Sequence, residues 1–138
     1  MTFNPAESID FNGNTGPFIQ YTYARIKSVF RKAEKMGILP ESGKLSHVKA
    51  GTKEIELIKL LRKFSETVST ATAGYSPALI ANYCYDLSRE YNQFYHDYSI
   101  LGEADPDVRN LRLVLSNVTS EILFKGMWLL GIEMPERM

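Results

Sequence analysis

The 138-residue sequence has little of what most catalytic, secreted or membrane-bound chains need. Its one cysteine, Cys84, cannot form an internal disulfide or a cysteine-based zinc site, which favours a reducing compartment. No apolar stretch approaches the roughly 20 residues that span a bilayer, so no membrane partner is expected. The opening MTFNPAESIDF lacks the basic and apolar segments of an export signal. The expected location is the cytoplasm.

Residues suited to catalysis are also sparse. Neither His47 nor His96 has a glutamate three residues before it, so the Glu-x-x-His pattern of metal sites in helical bundles is missing. Cys84 lies on an apolar stripe, where a small core residue is expected rather than a nucleophile. Residues 13–16, GNTG, precede a helix without the Lys-Ser/Thr of a phosphate-binding loop, which favours a tight turn. The sequence predicts no catalytic residue and no metal site.

The net charge is zero, but the charge is unevenly distributed. Residues 25–63 carry eleven Lys and Arg against four Glu, a net of +7, and the remaining residues therefore carry −7. Such asymmetry indicates a polyanionic partner. On charge alone, a pair of solvated lysine-rich helices is an equal alternative.

The spacing of apolar residues predicts an all-α domain, a bundle of four main helices plus short connecting helices. Residues 1–16 are expected to be an irregular lead-in, and residues 17–138 the helical domain. Pro17, Ser76-Pro77 and Asp105-Pro106 are start signals, since proline suits the first helical position after a capping residue. The predicted helices run over about 17–36, 52–73, 77–98 and 106–130, with residues 37–51 as a loop.

Each predicted helix has an assigned buried face. In the first helix it is Ile19, Ile26, Val29, Phe30 and Ala33, and in the second Ile58, Leu61, Ser65, Val68 and Thr72. In the third it is Ile80, Tyr83, Cys84, Leu87, Tyr91, Phe94 and Tyr98. In the fourth it is Val108, Leu111, Leu115, Val118, Ile122 and Leu129. Glu54 and Glu56 are expected in the first turn of the second helix, at the positive end of its dipole.

Aromatic residues accompany the basic ones on the first helix. At about 100° per residue, Phe18, Tyr21, Arg25 and Lys32 fall on one side, away from the predicted core stripe. Aromatic rings interleaved with arginine suit stacking on unpaired bases and contact with phosphate. The alternative is that tyrosines fill the core with their hydroxyls reaching water, which is the interpretation for Tyr83, Tyr91 and Tyr98.

Three separated motifs carry a resemblance. Residues 11–33, FNGNTGPFIQYTYARIKSVFRKA, resemble the arginyl-tRNA synthetase pattern Gly-x-Thr-Gly-Pro-Tyr-x-Gln-Tyr-x-x-x-Arg. Residues 56–61 and 76–95 agree with the family in order and spacing, and residues 126–138, GMWLLGIEMPERM, are similar to its ending. The resemblance covers essentially the whole chain, and it identifies the DALR-type anticodon-binding domain of class I arginyl-tRNA synthetases.

The resemblance implies a helical bundle that holds the anticodon stem-loop of arginine tRNA and reads the cytosine at the middle anticodon position. It assigns the tRNA contacts to six residues: Phe18, Tyr21, Arg25, Arg31, Tyr95 and Met138. Position 18 is Phe where many members have Tyr, so stacking is retained there and a hydroxyl contact is lost.

The His-Ile-Gly-His and Lys-Met-Ser-Lys-Ser type signatures of class I synthetases do not occur. The resemblance therefore implies that ATP with Mg²⁺, and arginine, bind a catalytic domain elsewhere in the parent enzyme, and that this monomeric, non-catalytic domain carries no cofactor. Two alternatives stay open: a protein-interaction bundle, and the equivalent domain of another synthetase, of class I or related to it, such as that for cysteine or glycine.

Overall fold

The computed structural model describes residues 4–10 and 13–138, and the regular structure within them is entirely helical, which confirms the all-α prediction. A short helix α1 (Pro5–Ser8) lies in the predicted lead-in. It is followed by α2 (Gly16–Lys35), a 3-10 turn (Ser42–Lys44), α3 (Thr52–Arg62), α4 (Phe64–Ala73), α5 (Pro77–Asp97) and α6 (Pro106–Leu129). None of the helices in the described ranges is long and apolar enough to cross a membrane.

The predicted start signals act at two of the three helices. The Thr15 side chain accepts from the Phe18 N–H at 3.4 Å, and the Asp105 carboxylate accepts from the N–H groups of Asp107 and Val108. These bonds satisfy donors that a helix start leaves unpaired. Pro77 begins α5 as predicted, but the Ser76 hydroxyl makes no capping hydrogen bond, so that part of the prediction was wrong.

The predicted second helix is in fact two helices, α3 and α4, divided at Lys63. The Leu60 carbonyl accepts both the Lys63 N–H, in a tight three-residue turn, and the Tyr83 hydroxyl at 2.9 Å. The break also packs Phe64 against Tyr83, with ring centroids 5.7 Å apart. A contact with α5 therefore stabilises the break.

Helices α5 and α6 form the centre of the bundle, because they pack against each other and α2 and α3 pack against both. The buried residues of α6 include Leu113, Leu123 and Met127, none of which was in the predicted face, whereas Leu129 is 47% exposed. A single stripe underestimates a helix that is covered on several sides. Cys84 is fully buried against α6, as predicted, and burial raises the pKa of its thiol to about 12. The thiol is therefore protonated and unsuited to nucleophilic attack.

A buried ionic cluster joins α3 to α6. Glu54 accepts from the Gly51 N–H at the start of α3, but it is 2% exposed and also pairs with Arg112 Nε at 2.9 Å. Arg112 Nη1 donates to the Ser99 carbonyl at 2.6 Å and to Glu103 at 2.9 Å. Glu54 lies in the first turn of α3 as predicted, but its buried pairing with Arg112 was not predicted, because the partner lies 58 residues away in sequence.

Candidate nucleic-acid interface

A cavity of about 550 Å³ opens between α2, α5 and the last two residues of the chain. This is within the usual ~300–1,000 Å³ of small-ligand sites. Five of the six residues that the resemblance assigned to tRNA line it: Tyr21, Arg25, Arg31, Tyr95 and Met138. The remaining lining residues are Ala24, Ser28, Val29, Lys32 and Arg137. Residues from three distant parts of the sequence thus meet at one place.

The C-terminal segment reaches this cavity because α2 holds its backbone. The Gln20 amide donates to the Glu133 carbonyl at 2.8 Å, and Arg31 Nη1 donates to the Glu136 carbonyl at 3.1 Å. Met134 is buried in the core between these two bonds. Arg31 therefore fixes the segment that carries Met138 as well as lining the cavity.

Arg25 occupies the centre of the aromatic side of the cavity. Its guanidinium carbon lies 4.9 Å from the ring centroid of Tyr21 and 5.0 Å from that of Tyr95, both within the range of cation–π attraction. Its Nη2 donates to the Tyr21 hydroxyl at 3.3 Å, and its Nη1 donates to the Asn92 Oδ1 at 2.5 Å. Tyr95 in turn stacks on the buried Tyr91 ring, with centroids 6.4 Å apart.

The electrostatics of the cavity are one-sided. Four cationic side chains line it: Arg25, Arg31, Lys32 and Arg137. Among the residues that the structure describes, no Asp or Glu side chain lines it. Three surface cations outside the cavity pair with carboxylates, in Lys44–Glu41, Lys53–Glu56 and Arg89–Asp86. A concave site lined by one sign of charge concentrates ions of the opposite sign. The cavity is therefore suited to an anionic ligand.

Phe18 does not line the cavity, although the helical wheel put it on the side of Arg25. Its ring packs on Tyr85, with centroids 5.3 Å apart, and it is partly buried against the core. A helical wheel shows only the angle of each residue around the helix and not its position along the helix axis. Seven residues separate positions 18 and 25, about 10 Å of helix, and at the level of Phe18 a different part of α5 covers α2. The predicted position of Phe18 away from the core was wrong, and its contact with tRNA stays a prediction.

Several residues at the site were not predicted from the sequence, and two of them matter most here. Asn92 bonds Arg25, and Arg137 lines the cavity beside Met138. In the sequence, Asn92 is only a polar residue next to the predicted core residue Tyr91. That position does not indicate that its amide bonds Arg25. No group of three or more His, Cys, Asp or Glu side chains that could hold a metal ion occurs in residues 4–10 and 13–138.

Comparison with known proteins places this architecture in a family. The DALR anticodon binding domain family matches residues 19–138. The chain belongs to that family.

The individual relatives are more specific. The chain is 60% identical to the arginine–tRNA ligase of Parabacteroides distasonis and 57% identical to that of Porphyromonas gingivalis, in each case over its whole length and over 23% of the relative. Among solved structures it resembles Thermus thermophilus arginyl-tRNA synthetase, with 33% identity and a TM-score of 0.85 over 99% of this chain and 23% of that one. The Plasmodium falciparum enzyme matches with 27% identity and a TM-score of 0.83, over 100% and 24% of the two chains. The chain thus spans about a quarter of the length of these relatives.

Proposed function

We propose that this chain is the anticodon-binding domain of an arginine–tRNA ligase, and that the cavity around Arg25 binds the anticodon loop of arginine tRNA. The observation that carries the proposal is a guanidinium flanked by two tyrosine rings, in a cavity lined by four cationic side chains and, among the described residues, by no Asp or Glu side chain. Unpaired bases bind proteins by stacking on aromatic rings, and their phosphates bind cations. The whole-length match to arginine–tRNA ligases supports arginine tRNA as the ligand.

The exposed edge of a base in the cavity would meet hydrogen-bond donors. Cytosine presents two adjacent acceptors, O2 and N3, on its pairing edge, whereas uracil presents a donor at N3. Arginine has donors only, so Arg25 is suited to O2 and N3 of cytosine and mismatched with uracil. Tyr21 and Tyr95 supply rings for stacking, and Lys32 and Arg137 lie where they would neutralise neighbouring phosphates.

The ligase reaction itself belongs to the rest of the proposed parent enzyme. Attachment of arginine to tRNA with ATP and Mg²⁺ needs a catalytic domain, and this chain corresponds to about a quarter of its relatives. The isolated chain is therefore expected to bind arginine tRNA and to catalyse no arginine-dependent pyrophosphate exchange.

The test is a titration with two labelled RNA stem-loops that differ at one base. One carries an arginine anticodon with cytosine in the middle, and the other has uracil there. Because a good bidentate contact contributes about 1–3 kcal/mol of base discrimination, we expect the cytosine loop to bind at least about fivefold more tightly. Fluorescence anisotropy at constant salt measures both affinities. Equal affinities would remove anticodon recognition from this domain.

A further inference from the structure

Four residues between α2 and α5 form one continuous series of hydrogen bonds. The Thr22 hydroxyl donates to the Phe18 carbonyl at 3.0 Å, and its oxygen accepts from Asn92 Nδ2 at 2.8 Å. The Asn92 Oδ1 then accepts from Arg25 Nη1 at 2.5 Å. The series starts at a backbone carbonyl inside the bundle and ends on the guanidinium in the cavity.

The chemistry of each member allows one direction only. A hydroxyl has a single proton, and that of Thr22, which is fully buried, is used on the Phe18 carbonyl. The Thr22 oxygen can therefore only accept, so Asn92 must turn its NH₂ group towards Thr22. Arginine can only donate, and the Asn92 carbonyl faces it. A flipped Asn92 amide would set N–H groups against the guanidinium and an oxygen against the Thr22 oxygen.

An amide holds Arg25 differently from the way a carboxylate would. Asn92 and the Tyr21 hydroxyl are neutral acceptors, so the guanidinium keeps its full positive charge. These two bonds engage two of its five N–H groups, and within the described residues no further hydrogen bond of Arg25 is formed. Three donors are left for a ligand, on a side chain whose orientation is fixed.

From this geometry we propose that Thr22 and Asn92 are positioning residues, which set the orientation of Arg25 so that the cavity distinguishes cytosine from uracil. The proposal rests on the proposed function, since it assigns base discrimination to the Arg25 donors. Without the series of hydrogen bonds, Arg25 keeps its charge but loses its defined direction. Binding then weakens, and discrimination between the two bases falls further.

The experiment compares Thr22→Val, which removes the hydroxyl at nearly constant volume, with Thr22→Ser, which retains it. Asn92→Ala removes the amide, and Asn82→Ala is the matched control at an exposed position on the same helix. Each protein is titrated with the cytosine and uracil stem-loops, and urea unfolding verifies that it is folded. Because one to two kcal/mol corresponds to about a five- to thirtyfold change, Thr22→Val and Asn92→Ala should weaken cytosine-loop binding by that factor. In both variants the ratio of cytosine-loop to uracil-loop affinity should fall towards one, whereas Thr22→Ser should keep the ratio of the unaltered protein.

A double-mutant cycle separates positioning from general stability. In an Arg25→Ala background, Asn92→Ala should have no further effect on either RNA, because the group that it positions is gone. An equal loss with and without Arg25 would overturn the proposal. Should Thr22→Val or Asn92→Ala fail to fold, Asn92→Asp supplies the test, since it preserves the shape and the acceptor for Arg25 but loses the NH₂ group that donates to Thr22. It should weaken binding of the cytosine loop and lower the preference for cytosine over uracil, and an unchanged affinity and preference would contradict the proposal.

The outcomes separate this inference from the function on which it rests. If the unaltered protein binds the two stem-loops equally, the proposed function is wrong. If it prefers cytosine, and Thr22→Val and Asn92→Ala prefer it to the same degree, the function stands and the positioning role is wrong.

Discussion

Arg25 and Arg112 both lie next to tyrosine rings, but the hydrogen-bond acceptors around Arg25 are neutral and those around Arg112 include carboxylates. Each guanidinium lies close to tyrosine rings, Arg25 at 4.9 and 5.0 Å from two centroids and Arg112 at 4.7 Å from the centroid of Tyr98. Arg112 also bonds two carboxylates, Glu54 and Glu103, and is 9% exposed. Arg25 has neutral partners and lines an open cavity.

Under the proposed function, the acceptor rather than the aromatic ring separates the two roles. A buried guanidinium must be paired with carboxylates, and the resulting cluster fixes α6 against α3. A guanidinium held by an amide and a hydroxyl keeps its charge for a ligand. Counting charges along the sequence cannot separate these cases, because Glu54 lies within the basic segment 25–63 while its partner Arg112 lies outside it.

The largest effect should come from breaking the buried cluster. Replacing Arg112 with Met leaves Glu54 buried without its cationic partner, and removing one member of a buried ion pair costs about 3–5 kcal/mol. Urea unfolding followed by circular dichroism measures the loss of unfolding free energy. Arg25→Met is the matched control: its partners are neutral and the site is open, so we expect a loss below about 1 kcal/mol. Similar losses for both variants would remove the distinction.

The second-largest effect should be the loss of RNA affinity in Tyr95→Ala. The Tyr95 side chain offers a ring beside Arg25, and a base–aromatic stack contributes about 1–3 kcal/mol, or roughly a five- to 150-fold change in Kd. Anisotropy titration with the cytosine stem-loop measures it. Tyr75→Ala is the control, since Tyr75 is 94% exposed and outside the cavity lining. Equal affinities for the two variants would argue against stacking on Tyr95.

A smaller effect should appear in the salt dependence of binding. Lys32 lines the cavity, so Lys32→Ala should remove one phosphate contact. Losing one such contact lowers the slope of log Kd against log salt by about 0.7 for a single strand. Lys59→Ala, on α3, removes the same charge from an exposed position outside the lining and should leave the slope nearly unchanged. Equal reductions at the two positions would mean that net charge, not the cavity, attracts the RNA.

Phe18→Leu should have the smallest effect on RNA binding. Its ring packs on Tyr85 and is outside the cavity lining, so the substitution alters packing rather than the cavity. We expect a stability loss of about 1 kcal/mol, a typical cost of a single substitution, because the smaller leucine loses part of this packing, and an affinity within twofold of the unaltered protein. A loss of affinity as large as that of Tyr95→Ala would place Phe18 at the RNA after all.

Local signals explain which parts of the fold could be predicted. Pro17, Pro77 and Pro106 mark helix starts through their own geometry, and α2, α5 and α6 accordingly lie where the sequence predicts them. The division at Lys63 has no glycine or proline to signal it, because it involves a hydroxyl of another helix bonding the Leu60 carbonyl. Tertiary contacts of this kind leave no periodic trace in the sequence.

The site follows the same rule. Periodicity placed Tyr21 and Arg25 on one side of α2, and the family resemblance supplied Tyr95 and Met138, which the structure brings to the same cavity. Nothing local pairs Asn92 with Arg25, since they are 67 residues apart. The wheel also placed Phe18 with them, because an angular projection discards the axial distance between positions 18 and 25.

The most direct test of the role of Arg25 is the binding of the cytosine and uracil stem-loops to Arg25→Met, at a temperature where circular dichroism shows the protein to be folded. Methionine retains an apolar side chain next to Tyr21 and Tyr95 but has no charge and no donor. We expect at least about tenfold weaker binding of the cytosine loop, from the loss of a charge-assisted contact, and a cytosine-to-uracil preference close to one. A folded Arg25→Met protein that binds the cytosine loop with unchanged affinity and preference would contradict this role of Arg25.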